Sequence, residues 1–216
     1  MNEQIYKTMA QSIIDGEADE AEELARQAIE MGIDPLDAIN KGFVPGIDHV
    51  GKLFGCGDAF LPELVMAGEA MKTAVSVLEP EMAKRGSERK MLGTVVIGTI
   101  EGDIHDIGKT LVGTMLSASG FKVFDLGVDV PVMTLVEKAR LENADIVGVS
   151  ALLTTTMVKQ RDVIEALDDM GMRPKVKVMV GGAPVTRTWA DEIGADAFSE
   201  DAVGAVTVAK QLLGVG

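Results

Sequence analysis

The run Asp103-Ile-His105-Asp106-Ile-Gly108 places an imidazole two residues after one carboxylate and directly before another. An aspartate beside a histidine is a pairing that metal sites use: the carboxylate keeps one ring nitrogen protonated and makes the other a better donor. Two further segments carry residues that ordinary packing does not demand. Ser150-Ala-Leu152-Leu-Thr154-Thr-Thr156 offers hydroxyls, and Gly181-Gly182-Ala-Pro184 offers bare backbone. Cys56, within Phe54-Gly-Cys-Gly-Asp58, is the only cysteine. One thiol excludes an internal disulfide and a zinc site built on several cysteines. With no histidine or basic residue adjoining it, that thiol reads as inert.

Each of these features has a plainer alternative. His105 can be an ordinary loop histidine, Gly181-Gly182 a tight turn, and one of Thr154 to Thr156 a helix N-cap. Gly102 and Gly108 can ease a strand-to-helix turn or let a helix start receive a phosphate. There is no G-x-G-x-x-G pattern and no P-loop, so nucleotide binding has little support. The second histidine, His49, falls in a helix-like segment and reads as structural or exposed.

The elements that must position these residues follow from two hydrophobic periods. Residues 1–86 show the helical period and no strand. Met9, Ile13 and Ile14 line a first helix; Ala21, Leu24, Ala28 and Ile29 line a second. Asp34-Pro35 starts another, with Asp as N-cap and Pro in the first turn. Residues 43–54 continue as a helix bent at Pro45-Gly46, and Leu64, Val65, Ala67, Ala70, Met71, Ala74 and Leu78 line a long last one. This is a small helical bundle. The charged stretch Glu79 to Lys90 is a helix tail and a linker. From residue 87 strands (92–99, 122–126, 145–150, 176–181, 196–198) alternate with helices (106–119, 131–143, 156–170, 187–193, 201–213). Five such units make a parallel sheet covered on both faces. In a flavodoxin/Rossmann-like order of 2-1-3-4-5 the loops after strands 1, 3 and 4 converge at one edge, where open α/β sheets bind ligands.

Composition narrows the function further. The chain has 216 residues, 47% hydrophobic but only 4% aromatic, so its core is aliphatic and draws on its 13 Met. A net charge of −14 argues against nucleic acid or an anionic membrane as the main partner. No signal peptide or spanning segment is legible, and the expectation is a soluble, cytoplasmic protein.

Taken together, Asp103-x-His105-x-x-Gly108, Ser150-x-Leu152 and Gly181-Gly182 resemble the cobalamin-binding signature. The chain resembles the corrinoid proteins of methyltransferase systems that demethylate methylamines, methanol or quaternary amines, and is similar to the cobalamin module of methionine synthase. The likeness spans nearly the whole chain. Phe60-Leu-Pro-Glu-Leu-Val-Met-Ala-Gly-Glu-Ala-Met-Lys72 matches the cap helix of that family, and Asp125-Leu-Gly-Val-Asp-Val-Pro131 and Gly194-Ala-Asp-Ala-Phe198 also fit.

The resemblance implies a cap domain (1–86) and a cobalamin-binding domain (87–216). It makes His105 the lower axial ligand of cobalt, displacing the benzimidazole of the cofactor into a slot. Gly108, Gly113, Ser150, Gly181 and Gly182 keep that slot free of bulk, with Leu152 packed on the base and Asp106 and Thr154 also at the cofactor. Asp103 and Thr156 form the catalytic relay behind the imidazole; the family often has Ser where this chain has Thr156. Phe60 and Met66 shield the upper face, although by residue type Phe60 reads as a bundle-core aromatic, and the charged linker allows the cap to swing.

The implied role is a methyl carrier on cob(I)alamin, not a complete enzyme alone. It serves a substrate-specific methyltransferase acting on a methylated amine, a second, acceptor methyltransferase, and a reductive activator. A cobalamin-dependent sensor is the alternative; a mutase subunit and a metal hydrolase fit less well.

Overall fold

The computed structural model of the chain describes residues 2–84 and 91–215. They form two units, Met1–Lys90 and Met91–Gly216. Residues 85–90, the heart of the expected charged linker, lie outside the described residues.

The first unit is helical: α1 (Asn2–Ile14), α2 (Ala18–Glu30), a short α3 (Pro35–Asp37), a π-helical turn (Ala38–Phe43), α4 (Val44–Cys56) and α5 (Leu61–Lys84). Met9 and Ile13, one turn apart, are buried on α1, and Ala21, Leu24, Ala25 and Ala28 on α2. This is the stripe that a 3.6-residue period produces. Small residues bring the helices close. A Cβ at Gly46 would lie 2.4 Å from the Ala10 carbonyl, so α4 crosses α1 almost backbone to backbone. Asp34 caps α3 as expected, accepting from the N–H groups of Leu36 (2.9 Å) and Asp37 (3.3 Å).

Some expectations need correction. Val65 is exposed, because it falls one residue beyond Leu64 and so about 100° round the helix from the buried stripe. Ile14 and Ile29 are only half-buried. The passage into α4 is made by the π-helical turn, in which the Val44 N–H reaches the Ile39 carbonyl. Pro45 sits in the first turn of α4, just after that junction.

The second unit alternates strand and helix: β1 (Thr94–Thr99), α6 (Ile107–Ala118), β2 (Lys122–Asp125), α7 (Val132–Leu141), β3 (Ile146–Ser150), α8 (Thr154–Met157), α9 (Lys159–Asp169), β4 (Lys177–Gly181), α10 (Arg187–Ile193), β5 (Ala197–Phe198) and α11 (Ala202–Leu213). The segment expected as one helix over 156–170 is two, α8 and α9, joined at Val158. The sheet is parallel throughout, in the order β2-β1-β3-β4-β5. Val96, Val147, Val149, Val178 and Val180 pack on one face with Leu135, Val136, Val163 and Leu167 of α7 and α9. Alternate residues, including Val95, Ile97, Ile146 and Met179, are buried on the other face. The register aligns Thr99 with Ser150 and Ser150 with Gly181, so the loops after β1, β3 and β4 leave the sheet side by side. No described helix is long and apolar enough to cross a membrane.

Candidate functional site

Beyond Thr99 the chain turns back beneath its own strand. Glu101 donates to the Val130 carbonyl (2.9 Å), Gly102 turns with φ +87°, and its N–H donates to Asp129 Oδ1 (2.7 Å). Asp103 then reaches inward, tied by its own N–H to the Ile100 carbonyl (3.1 Å) and by its carbonyl to the Asp129 N–H (2.9 Å). The loop leaves again at His105, whose carbonyl accepts from the buried Thr99 hydroxyl (2.8 Å). The result is a fully buried carboxylate with its imidazole partner 46% exposed.

Asp103 has both oxygens saturated. Oδ1 accepts from the His105 N–H (3.1 Å) and lies 2.6 Å from His105 Nδ1. Oδ2 accepts from the N–H groups of Leu152 (2.7 Å) and Leu153 (3.3 Å), and the Thr156 Oγ1 lies 2.8 Å away. Burial by itself pushes this carboxyl up. The bonds from Leu152, His105 and Thr156 outweigh burial and hold it well below the usual carboxylate range. An ionised carboxylate only accepts, so His105 Nδ1 must be the donor. In the neutral ring the lone pair is therefore on Nε2, at the exposed end. That tautomer is the one a metal needs.

Small residues mark the ends of the central strands. Ser150 and Gly181 stand in register, and a Cβ at Gly181 would meet only the Ser199 carbonyl, at 3.2 Å. At Gly108 an added Cβ would meet nothing within 4 Å, and at Gly113 nothing nearer than 3.8 Å. Gly182 has a backbone reason to be glycine: its φ is +122°, and a Cβ would come within 1.8 Å of the Ala151 carbonyl. The plain reading of Gly181-Gly182 as a turn is thus half right.

Around His105 the apolar side chains of Ile104 (76%), Ile107 (77%), Leu152 (39%) and Leu153 (43%) stand exposed. Such a patch beside an imidazole suits a large, flat, partly apolar ligand.

Thr154 and Thr155 are exposed, and α8 is preceded by Leu153 with no side-chain cap. None of the three threonines is an N-cap. Thr156 turns to Asp103, and its single proton serves either that carboxylate or the Leu153 carbonyl at 3.0 Å. Asp106 precedes α6 without capping it. It is instead 2.8 Å from Lys109 Nζ, whose bond holds the Asp106 carboxyl below its ordinary range.

Lys109 was not anticipated from the sequence. Its side chain is buried and also contacts both oxygens of Asp125, at the end of β2. The signal was the i, i+3 spacing from Asp106, joined to a carboxylate that only the strand order brings near. Asp129 is the other residue missed, with φ +54° and a carboxylate that receives Gly102.

In the helical unit His49 and Cys56 are exposed. Phe60 is 68% exposed, so it is not a core aromatic of its bundle, and Met66 is 49% exposed. Met66 nonetheless packs on Gly16, where a Cβ would fall 2.6 Å from its own Cβ.

Among the described residues no group of three or more His, Cys, Asp or Glu could hold a metal ion. His105 offers a single nitrogen. Such a donor suits a metal that arrives with its other ligands, as the ion of a macrocycle does, and the open glycine-lined strand ends leave room for an appended group.

Comparison with known proteins agrees with this chemistry. A family model described as a B12 binding domain matches residues 93–207, and a second B12 binding domain model matches residues 5–79. The chain is 51% identical over 213 residues to the trimethylamine corrinoid protein of Methanosarcina barkeri, covering 99% of this chain and 98% of that protein. It is 49% identical over 211 residues to dimethylamine corrinoid protein 2 of Methanosarcina acetivorans, covering 98% of this chain and 97% of that one. Among solved structures it is similar to the methanol:cobalamin methyltransferase complex of Methanosarcina barkeri. That match has TM-score 0.87 and 31% identity, and covers 98% of this chain and 80% of that chain.

Proposed function

The chain belongs to the B12-binding corrinoid proteins, and from that premise we propose that it carries methyl groups between methyltransferases. Its cofactor is a corrinoid, and the donor side is a substrate-specific methyltransferase acting on a methylated amine. A second methyltransferase accepts the methyl group, and a reductive activator restores the carrier. The end-to-end match to two amine corrinoid proteins favours this carrier role over a sensor.

One observation carries the reading: the ionised, saturated Asp103 fixes the proton of His105 on Nδ1 and leaves Nε2 as an exposed lone pair. His105 Nε2 would hold the cobalt. Bound cobalamin would supply a metal centre able to take up and release a methyl group. The protein's own part is to place and to tune that nitrogen. The Asp103 carboxylate, 2.6 Å from Nδ1, holds the ring in place and its proton on that nitrogen. Thr156 supports the carboxylate from the far side.

Leu152 and the exposed Ile104 and Ile107 would receive the macrocycle, with Asp106 and Thr154 at its rim. Ser150, Gly108, Gly181 and Gly182 would line the slot for the nucleotide tail. Residues 87–216 would hold the cofactor, and residues 1–86 would serve as a cap domain whose exposed Phe60 and Met66 would keep water from it.

The test is reconstitution with cobalamin followed by the Co(II) paramagnetic spectrum. Hyperfine lines from a protein nitrogen, with the benzimidazole displaced, are the expected result; lines from benzimidazole itself would overturn the assignment. A methyl-transfer assay with candidate methylated amines and their methyltransferases then identifies the donor.

A further inference from the structure

Gln160 is a fully buried polar side chain and, unlike Thr99, which bonds the His105 carbonyl, has no task in the site described above. Its amide is fully engaged. Nε2 donates to the Val149 carbonyl (2.9 Å) and the Gly181 carbonyl (3.2 Å), and Oε1 accepts from Trp189 Nε1 (3.0 Å). Val149 and Gly181 belong to neighbouring strands, at the point where the β3–β4 ladder ends. The Gly181 carbonyl is shared with the Ala151 N–H (3.1 Å). The amide thus clamps a carbonyl of each strand where the ladder ends, on either side of Ser150.

Sidedness matters. Val149 packs with Val163 and Ile164 of α9, the helix that carries Gln160, so the amide approaches from that face. Ser150, by strand alternation, presents its hydroxyl to the opposite face, where Gly108 and Gly113 leave space. Gln160 therefore cannot touch a group in that space. It sets the spacing of the two strand ends whose small residues border it. Four residues earlier, on the adjoining α8, Thr156 grips Asp103. Trp189 holds the amide in turn, with the Arg161 guanidinium over its ring (5.3 Å) and anchored to Glu192 (2.9 Å).

We propose that Gln160 is a positioning residue for recognition of the nucleotide tail: from the back of the sheet it holds the β3 and β4 ends at the separation that admits the tail. The inference rests on the cobalamin reading above. It predicts that a change at Gln160 weakens binding of a corrinoid with a tail and spares one without it. A residue that merely stabilises the fold would weaken both alike.

The experiment measures the affinities of the full chain for cobalamin and for cobinamide, which lacks the nucleotide tail. Gln160→Met keeps the length of the side chain and removes its donors. The expected result is a fall of about ten-fold in the preference for cobalamin, as for loss of buried hydrogen bonds, with cobinamide affinity unchanged. Trp189→Phe removes only the bond to Oε1 and is expected to lower the preference by about two- to three-fold, which keeps the test open if the first variant fails to fold. Equal losses for both corrinoids, or no change in the ratio, would overturn the role of Gln160. A wild-type protein that binds cobalamin and cobinamide equally well would instead overturn the tail slot itself, and the proposal with it.

Discussion

The two units of this protein use polar side chains in different ways. In the helical unit, polar bonds such as Gln11 to Asp15, Arg26 to Glu22 and Glu63 to the Phe60 N–H join residues three or four apart. They lie on the surface and support single helices, and such pairs are individually weak. In the sheet unit Asp103 is bonded to residues 49, 50 and 53 positions further on, wholly out of water. A buried charge is costly unless every lone pair is met, so a carboxylate held in this way ties the loop after β1 and the start of α8 to one geometry. The two histidines repeat the contrast. His49 stands exposed on a helix, whereas His105 has its Nδ1 fixed by Asp103 and its other end open.

The sharpest way to break this contrast is to exchange the histidines' fates. His105→Ala is expected to abolish the protein-nitrogen hyperfine lines in the Co(II) spectrum, and His49→Ala to leave them intact. An unchanged spectrum for His105→Ala would remove the basis of the site.

Gly182→Ala should follow in size. A Cβ forced to 1.8 Å from a carbonyl at φ +122° cannot be accommodated, and a loss of about 2–4 kcal/mol is expected in denaturant unfolding. Gly57→Ala in the helical unit, where φ is also positive but nothing lies within 4 Å, should cost only about 1 kcal/mol.

Asp103→Asn should weaken histidine ligation or methyl transfer by about 10–100-fold. It also has a pH signature. The native Asp103 carboxyl titrates below its unfolded value, so the unfolded chain binds more protons as the pH drops. The stability that Asp103 contributes is therefore full above the ordinary carboxylate range, near pH 4, and is lost as the pH falls further. The Asn variant should show a flatter decline in that acid window; identical acid limbs for the two proteins would count against a depressed Asp103.

The smallest thermodynamic effect is expected at Phe60. Phe60→Ala should change stability by less than about 0.5 kcal/mol, as for an exposed side chain, yet slow methyl transfer if Phe60 covers the cofactor. An unaffected transfer rate would return Phe60 to the ordinary surface.

Much of this was legible beforehand, because hydrophobic period is a local property. The run Val95-Val-Ile97 and the doubled glycine at 181–182 announce strands and a sharp turn wherever they occur. The spacing of Asp103 and His105 put their side chains within reach of each other in a single loop. Where the period was read one residue too widely, as at Val65, the helix simply turned that side chain outward. The exposure of Phe60 was not legible, since an aromatic at a helix start looks the same whether it faces a core or a ligand.

By itself the chain of residues determined which segments are strands, which are helices, and which loops bear an imidazole, hydroxyls and glycines. Only the tertiary structure decided that Asp103 is buried and that Lys109 joins Asp106 to Asp125, and it gave Thr156, which the family resemblance implied, its bond to Asp103. The reason is physical: periodicity reports the environment of a face, while a hydrogen bond across 53 residues exists only once the order of the strands has brought its two ends together.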